Sequence, residues 1–536
     1  MNKNPILRFT KKTKSNDNLF LISSIIALIV QGIILTHNLS EWVDIRYADE
    51  SMYLGNGLHF FNQKPDSSWG PIYSLWYFFL SFISKDPVSL YYLNYKLMTI
   101  IPAVLLLIYL NQLTKNHVLN FFFSYLFLIS IINLPTWPRV SHFALIIIFT
   151  ALILIVKTPD KKRKFIIAGF TLLITSYVRP EFTVAFLILL IISLILLFKK
   201  KLKIVHVLPV IICLLILILP LGVPYSFTRN LMAFGQGYEK NIDITQRVEN
   251  GEVKNYIEIV YENFGKVNSF PEIISNDSDK FFNHIGKNLK RLPNIFPDYK
   301  ELILPTNLIK GGYKFTSILL LLLFCSIPLI LFFVTKRKNN PEDKRSMDSI
   351  IFMLAVTLFL LFPSLIAPIL YFPRAHYFLL LVPFLYTYFS PFGVLTKIKN
   401  RLVEVTVFIL IVFFSFAFLP NVSYYFKKSD LPNQKTISFL KTLNIKKDVN
   451  IFVEGGGLLY YLEDNFKLAE PVYKPFENFL QNKKIDIVVP TKKLIQAPAL
   501  KTDSTWFGFL NNPGKYGFNK VIVSKEASVY LKEGLQ

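Results

Sequence analysis

The sequence predicts a mostly α-helical membrane protein: a polytopic bundle of about eleven transmembrane helices with a small α/β domain at its C-terminal end. Three observations lead to this fold class. The chain of 536 residues is 52% hydrophobic, with a mean hydropathy of +0.42, which excludes an ordinary soluble protein. Only 18% of its residues are charged, whereas it contains 51 Phe and 27 Tyr. Apolar runs of membrane-crossing length recur, and the densest Lys and Arg clusters lie in short loops between them.

Apolar runs identify the individual spans, because a helix needs roughly 20 apolar residues to cross the hydrocarbon core. The run 72–83 is shorter and rich in Trp and Tyr, so it fits an interfacial or re-entrant helix better than a span. The first run lacks a small-residue cleavage site behind it and should be retained as a span. The predicted spans are 19–36, 90–113, 118–134, 142–156, 165–177, 182–198, 204–221, 315–334, 350–371, 377–395 and 403–419.

The net charge of +24 could point to nucleic acid, but its distribution indicates topology. A basic segment at 8–14 precedes the first span, which predicts a cytoplasmic N-terminus. Alternating sides from there place the basic loops 157–164, 199–203, 336–345 and 397–401 in the cytoplasm, as the positive-inside rule requires. We therefore expect an integral protein of a bacterial inner (plasma) membrane, in contact with membrane lipid and without a nucleic-acid partner.

The same alternation divides the chain into two predicted domains. Residues 1–420 form the transmembrane domain with outward loops at 37–87 and 222–313, and residues 421–536 form an extracytoplasmic domain. Glycines 455–457 lack the phosphate-loop pattern, so a flexible turn is the better interpretation. In the tail, strands at 449–453, 485–489 and 520–523 alternate with helices at 437–443 and 476–481, which indicates a small α/β fold.

An acidic pair, Asp49 and Glu50, follows the first span on the outward side. Beyond it, Tyr53, Leu54, Leu58 and Phe61 recur at helical spacing, which predicts a helix in the membrane surface that starts near Asp49. Asp49 could cap this helix or act as a catalytic carboxylate at the membrane face, and the spacing alone favours the cap. Adjacent helical residues point about 100° apart, so Asp49 and Glu50 cannot share one role without irregular backbone.

The pair Asp49-Glu50, followed by Tyr53-Leu54 and Gly57, resembles the aspartate-glutamate motif of membrane glycosyltransferases of the C-type fold. The likeness is greatest to the group of protein mannosyltransferases and lipid A aminoarabinose transferases (family 39-like). The segment 69–76, Trp-Gly-Pro-Ile-Tyr-Ser-Leu-Trp, is similar to one that such proteins carry before their second span. The resemblance covers about the first 400 residues through topology, and the tail resembles no family.

The resemblance implies a glycosyltransferase. It would move a sugar from a polyprenyl-phosphate-linked donor to an extracytoplasmic acceptor: a glycan, lipid or protein of the cell envelope. It also implies that Asp49 acts as catalytic base or as ligand of a divalent cation, Mg or Mn, with Glu50 beside it in the catalytic motif. A phosphate leaving group needs little protonation, so the protein must mainly deprotonate the acceptor and stabilise developing negative charge.

Arg179, Arg374 and His376 are candidates for binding the donor phosphate, because they lie at predicted outward turns. An interfacial arginine often only extends its head group to the lipid phosphates. The positive-inside bias works against arginines on this side, however, and their planar fork suits bidentate phosphate contacts. The resemblance implies that basic residues beside late spans bind the carrier phosphate, so Arg374 is the stronger candidate. His376 could serve as acid, base or metal ligand.

Two other functions compete with the glycosyltransferase. A cell-surface polysaccharide polymerase or ligase also has many spans and one large outward loop, here 222–313, but depends on basic residues in that loop. A transporter places charged groups or broken helices near the middle of the bilayer. The predicted spans contain almost no ionisable residues, which disfavours transport.

Overall fold

The computed structural model describes residues 5–295 and 341–535, apart from 63–64, 67–68, 244–246, 250–251, 396–397, 399, 444, 446, 455, 471–474 and 496. This part of the chain is mostly helical, with a small sheet near its C-terminal end. The helices are α1 Pro5–Leu35, α2 Leu39–Trp42, α3 Asp49–Leu58, α4 Pro71–Leu80, α5 Pro87–Thr114, α6 His117–Leu128, α7 Val140–Lys157, α8 Lys161–Ser176, α9 Phe182–Phe198, α10 Leu208–Leu221, α11 Phe227–Glu239, α12 Tyr256–Phe264, α13 Phe270–Asn276, α14 Ser278–Ile295, α15 Pro341–Leu370, α16 Ala375–Leu379, α17 Val382–Leu395, α18 Arg401–Ala417, α19 Pro432–Thr442, α20 Phe476–Asn482, α21 Lys492–Ile495, α22 Pro498–Lys501 and α23 Ser504–Asn511. The strands are β1 Val248–Glu249, β2 Glu252–Val253, β3 Val449–Val453, β4 Phe466–Leu468, β5 Ile487–Val489, β6 Phe518–Ser524 and β7 Ala527–Lys532.

Four helical stretches in the described residues are long and apolar enough to cross a membrane: Asn18–Trp42, Pro87–Thr114, Val140–Lys157 and Asp348–Leu370. The 28 residues of α5 extend roughly 42 Å, more than the hydrocarbon core requires. Helices α6, α9 and α10 are apolar but shorter. The predicted span 315–334 lies outside the described residues, so the count of about eleven stays a prediction.

The chain divides into two compact units. The first consists of Met1–His37, Tyr95–Tyr225 and Asn288–Asn421. Polar side chains among its apolar helices bond to one another or to their own helix: Gln31 Nε2 donates to Ser415 Oγ at 2.6 Å, and the hydroxyls of Tyr109 and Thr387 lie 2.7 Å apart. Such pairing removes most of the cost of burying a polar group among apolar helices.

The second unit consists of Asn38–Asn94, Ser226–Lys287 and Val422–Gln536. These three segments overlap the three regions that the sequence predicts to face outward, at 37–87, 222–313 and 421–536. Regions far apart in the chain thus fold together, and the candidate acidic pair belongs to this unit.

The C-terminal part of the second unit contains a five-stranded mixed sheet of order β4-β3-β5-β7-β6. Strand β3 runs parallel to β4 and β5, whereas β7 runs antiparallel to β5 and β6. The strand predicted at 449–453 is confirmed with the same bounds, and those predicted at 485–489 and 520–523 correspond to β5 and β6. The core beside the sheet is aromatic, with Phe452, Phe476, Phe479, Trp506 and Phe509 all buried.

Candidate functional site

Glycine allows α3 and α4 to pack closely together. A Cβ added at Gly57 would lie 2.5 Å from the carbonyl oxygen of Ser74 and from the Cβ of Tyr77, which no larger residue tolerates. Helix α4 begins at Pro71 after Gly70, whose φ of +59° places it in the left-handed region that favours glycine. The two glycines therefore have direct structural reasons: Gly57 allows the last turn of α3 to pack against the middle of α4, and Gly70 adopts the backbone turn that precedes α4.

Glu50 is buried at this helix contact. Its side chain is 2% exposed, and the side chains of Tyr73, Tyr77 and Asn94 are fully buried around it. The carboxylate oxygen Oε1 accepts hydrogen bonds from the hydroxyl of Tyr73, from the hydroxyl of Tyr77 at 2.7 Å and from Nδ2 of Asn94 at 3.0 Å. We refer to these four residues as the Glu50 cluster. It ties the first turn of α3 to α4 and to the start of α5.

The two phenols of the Glu50 cluster act as hydrogen-bond donors. Burial, and then the nearby charge of Glu50, raise the pKa of Tyr73 and of Tyr77 well above the usual value, so both remain protonated. A buried carboxylate is costly unless hydrogen-bond donors satisfy it, and the neutral side chains of Tyr73, Tyr77 and Asn94 supply three. Asn94 is held in turn, because its Oδ1 accepts from the indole of Trp76 at 2.9 Å. Glu50 is thus enclosed by protein.

Asp49 has different surroundings from its neighbour. It is the first residue of α3 and is half-buried. The residue at the N-cap is Ala48, and no side chain caps the helix, so the interpretation of Asp49 as an N-cap is wrong. Its carboxylate makes no hydrogen bond or ion pair with the residues that the structure describes. A charge at this position still interacts favourably with the helix dipole.

Asp44, which the sequence did not single out, caps a helix from a distant part of the chain. Its carboxylate accepts from the backbone N–H groups of Asn433 and Gln434, both at 2.9 Å, and of Ile45 at 3.0 Å. These groups of α19 need an acceptor, because the helix's own N-cap residue is Leu431 and provides none. Burial raises the pKa of Asp44, while the N–H donors act in the opposite direction.

Arg229 at the start of α11 is a further basic residue that sequence reasoning missed. Its guanidinium lies 4.2 Å from the ring centre of Trp69, and its Nη2 is 3.5 Å from the hydroxyl of Tyr53. Tyr53 follows Asp49 by four residues, so both lie on one face of α3. The sequence could have identified Arg229 by the criterion used for Arg179 and Arg374, because it too is an arginine in a predicted outward region.

The structure brings the three predicted phosphate-binding residues together in the first unit. Arg179 forms an ion pair with Glu181 at 2.5 Å, donates to Ser141, and lies 4.9 Å from the ring centre of Tyr377. Burial, followed by the charges of Arg179 and Arg374, lowers the pKa of His376 well below its usual value. His376 is therefore neutral near pH 7. Arg374 is half-buried at the N-cap position of α16.

The described residues around Asp49 do not by themselves supply a full set of ligands for a divalent cation. In the described parts of the chain, no group of three or more His, Cys, Asp and Glu side chains comes together. The nearby carboxylates of Asp44 and Glu50 accept three hydrogen bonds each, which leaves Asp49 as the one carboxylate of this segment that could bind a cation. Mg²⁺ and Mn²⁺ prefer sets of oxygen ligands in near-octahedral geometry. Mg²⁺ usually keeps several waters and binds one or two carboxylates together with substrate phosphates, so the cation suggested by the family resemblance stays a prediction, with Asp49 as the side chain that would hold it.

Comparison with protein-family models and with curated proteins gives no match for the chain. Its function must therefore be argued from its own residues. The geometry separates the candidates into an enclosed carboxylate, Glu50, an accessible one, Asp49, and a cationic group around His376.

Proposed function

We propose that this chain is a membrane glycosyltransferase that transfers a sugar from a polyprenyl-phosphate-linked donor to an acceptor on the extracytoplasmic side. The observation that carries the proposal is that the Asp49 carboxylate has no hydrogen-bond or ion-pair partner among the described residues. Its neighbours Asp44 and Glu50 are each engaged by three donors, whereas the Asp49 carboxylate makes no such contact within the described residues. It also lies shortly after the membrane-length stretch Asn18–Trp42, close to where a lipid-linked donor would present its head group.

In the proposed reaction, Asp49 is the general base. It accepts the proton of the acceptor hydroxyl while the acceptor oxygen bonds to the anomeric carbon of the sugar. The bond from that carbon to the phosphate oxygen breaks, and the polyprenyl phosphate leaves with the electron pair. The leaving group is already a weak base, so it needs neighbouring positive charge more than a proton donor.

Arg374 is the proposed contact of the donor phosphate. The ion pair with Glu181 already neutralises Arg179, and His376 is neutral, so these two side chains fit a supporting role around Arg374. Glu50 becomes a positioning residue: buried in its cluster, it fixes the first turn of α3 on which Asp49 stands. The proposal thus assigns different roles to the two acids of the motif.

The substitution Asp49→Asn tests the proposal. Asn keeps the size of the side chain and breaks no contact of the described structure, so folding should be unchanged while proton transfer is lost. Cells lacking the protein should accumulate a lipid-linked sugar, and extracting that lipid would identify the donor. Wild type should clear it and Asp49→Asn should not. The control is Asp464→Asn, which removes one exposed aspartate from the same unit.

If the Asp49→Asn variant is present at the wild-type level and removes the accumulated lipid-linked sugar normally, Asp49 is only a charge at a helix start. That result would refute its role as the base. The accumulated lipid also separates the alternative function. A carrier with a single sugar supports the glycosyltransferase, whereas a carrier with an oligosaccharide repeat supports the polymerase or ligase. The latter gains some support from Arg229, a basic residue of the large predicted outward loop beside Trp69.

A further inference from the structure

The segment 44–51, which we call the acidic segment, joins α2 to α3 and extends into the first turn of α3. Residues 43–46 of this connection have no helical or strand structure of their own. Its conformation therefore depends on partners elsewhere in the second unit. Two parts of the C-terminal region provide them: the start of α19 at residues 432–434 and the turn at residues 456–461.

The start of α19 and the acidic segment are joined by hydrogen bonds that each donates to the other. Asp44 caps the helix by accepting from the N–H groups of Asn433 and Gln434. Asn433 Nδ2 donates to the carbonyl oxygen of Ile45 at 2.7 Å, and the hydroxyl of Tyr47 donates to the carbonyl oxygen of Asn433 at 2.8 Å. Each side thus satisfies groups that the other leaves without an acceptor or donor.

The turn at 456–461 packs against the segment with almost no space between them. A Cβ added at Gly457 would lie 2.7 Å from the carbonyl carbon of Tyr47 and 2.8 Å from its oxygen. Beyond it, the hydroxyls of Tyr461 and Ser51 lie 2.8 Å apart, and both side chains are buried. Gly457 is itself buried, so this glycine serves close packing, in contrast to the flexible turn predicted for 455–457.

We propose that the C-terminal region positions the acidic segment: residues 432–434 and 456–461 hold residues 44–51 so that Asp49 is presented in one fixed orientation. This inference rests on the proposed function, in which Asp49 is the base. It assigns Asp44, Gly457 and Tyr461 as positioning residues that do not touch the substrate. Fixing a catalytic group before the substrate arrives removes the entropy of ordering it during the reaction, and a displacement of about 1 Å can cost a hundredfold in rate.

Gly457→Ala is the most selective perturbation of this contact. Gly457 has no positive φ, so alanine adds no backbone strain and only inserts a methyl group against the backbone of Tyr47. Gly514→Ala is the matched control. It adds the same methyl group in the C-terminal region, where the nearest atom would be 3.8 Å away, and its φ is also not positive.

Hydrogen exchange of the full-length protein in detergent measures the effect without any assay of activity. In Gly457→Ala we expect amides 45–52 to exchange at least tenfold faster, whereas those of β3 and β5 keep wild-type protection. Sugar transfer should fall about tenfold or more in kcat, with little change in donor KM, because the base is displaced and the donor site is not. Gly514→Ala should match wild type in both measurements.

Several results would overturn the inference. Unchanged exchange at 45–52 in a folded Gly457→Ala protein would show that the turn does not hold the segment. Faster exchange with undiminished transfer would show that the order of the segment does not matter for the reaction. If Gly457→Ala does not fold, Tyr47→Phe serves in its place, because it removes only the hydroxyl bond to Asn433. Amides 45–52 should then exchange faster than in wild type, though by less than tenfold, and an unchanged rate would refute the inference.

Failure of the proposed function gives a different result. If exchange is faster in Gly457→Ala but the wild type transfers no sugar, the positioning contact is supported and the proposed glycosyltransferase function is refuted.

Discussion

Tyr77→Phe removes one donor from the Glu50 cluster and leaves the shape of the buried side chain almost unchanged. In wild type the Tyr77 hydroxyl donates to Glu50 Oε1 at 2.7 Å. A hydrogen bond to a charged group contributes about 1.5–3 kcal/mol, and its loss here is not replaced by water because Glu50 is only 2% exposed. We expect the variant to lose about that much free energy of unfolding.

Thermal unfolding in detergent provides the measurement. For a cooperative unit of a few hundred residues, roughly 2–4 °C in Tm corresponds to 1 kcal/mol, so the apparent midpoint should fall by about 3–12 °C. The control is Tyr261→Phe in α12, where the side chain is 36% exposed and the change should stay within about 0.5 kcal/mol.

The double variant Tyr73→Phe with Tyr77→Phe makes the test more specific. Both phenols donate to the same oxygen, so removing the second leaves the buried charge with Asn94 as the remaining donor of the cluster. The free energy of unfolding lost in the double variant should then exceed the sum of the losses in the two single variants by about 0.5–3 kcal/mol, as expected for coupled groups. A Tyr77→Phe protein as stable as Tyr261→Phe, or strictly additive losses, would refute the idea that these phenols hold Glu50.

Two further predictions concern the donor site and the topology. Arg374→Ala should raise the apparent KM for the lipid-linked donor about ten- to a hundredfold and Arg374→Lys less, since Lys keeps the charge but loses the bidentate fork. Equal KM values for wild type and both variants would make Arg374 an interfacial anchor. With Cys213 and Cys325 replaced, Ser504→Cys should react with a membrane-impermeant thiol reagent on intact cells and Lys161→Cys should not. Both positions are exposed, so the reverse pattern would invert the topology.

Much of the C-terminal fold could be predicted from the sequence, because its strands are short apolar runs between turn residues. Val449–Val453 is such a run and is β3 as predicted. The strands β4 and β7 were missed. Phe466–Leu468 is only three residues long, and Ala527–Lys532 has three consecutive buried residues, Val529 to Leu531, in place of the alternation that marks a half-buried strand. A strand that is stabilised mainly by its neighbours carries little signal of its own.

The start of α3 was predicted correctly from helical periodicity, but the surroundings of Glu50 were not. Tyr73 and Tyr77 are four residues apart and so share one face of α4, which periodicity does show. Their convergence with Asn94 on one carboxylate oxygen depends on how α3, α4 and α5 pack. The residue that allows that packing, Gly57, was noted for its likeness to a family motif, and its physical role became visible only in the contact with Ser74 and Tyr77.

The three acids of the acidic segment show why spacing alone favoured the wrong role for Asp49. An aspartate near a helix start is usually a cap, and the segment does contain a capping aspartate, but it is Asp44 and the helix it caps is α19. Glu50 is satisfied by the phenols and amide of its cluster. With these two carboxylates engaged, Asp49 is the acid of the segment whose carboxylate remains open to a substrate in the described structure. Its candidacy as the base therefore comes from the contacts of its neighbours, which no pattern within residues 44–51 could reveal.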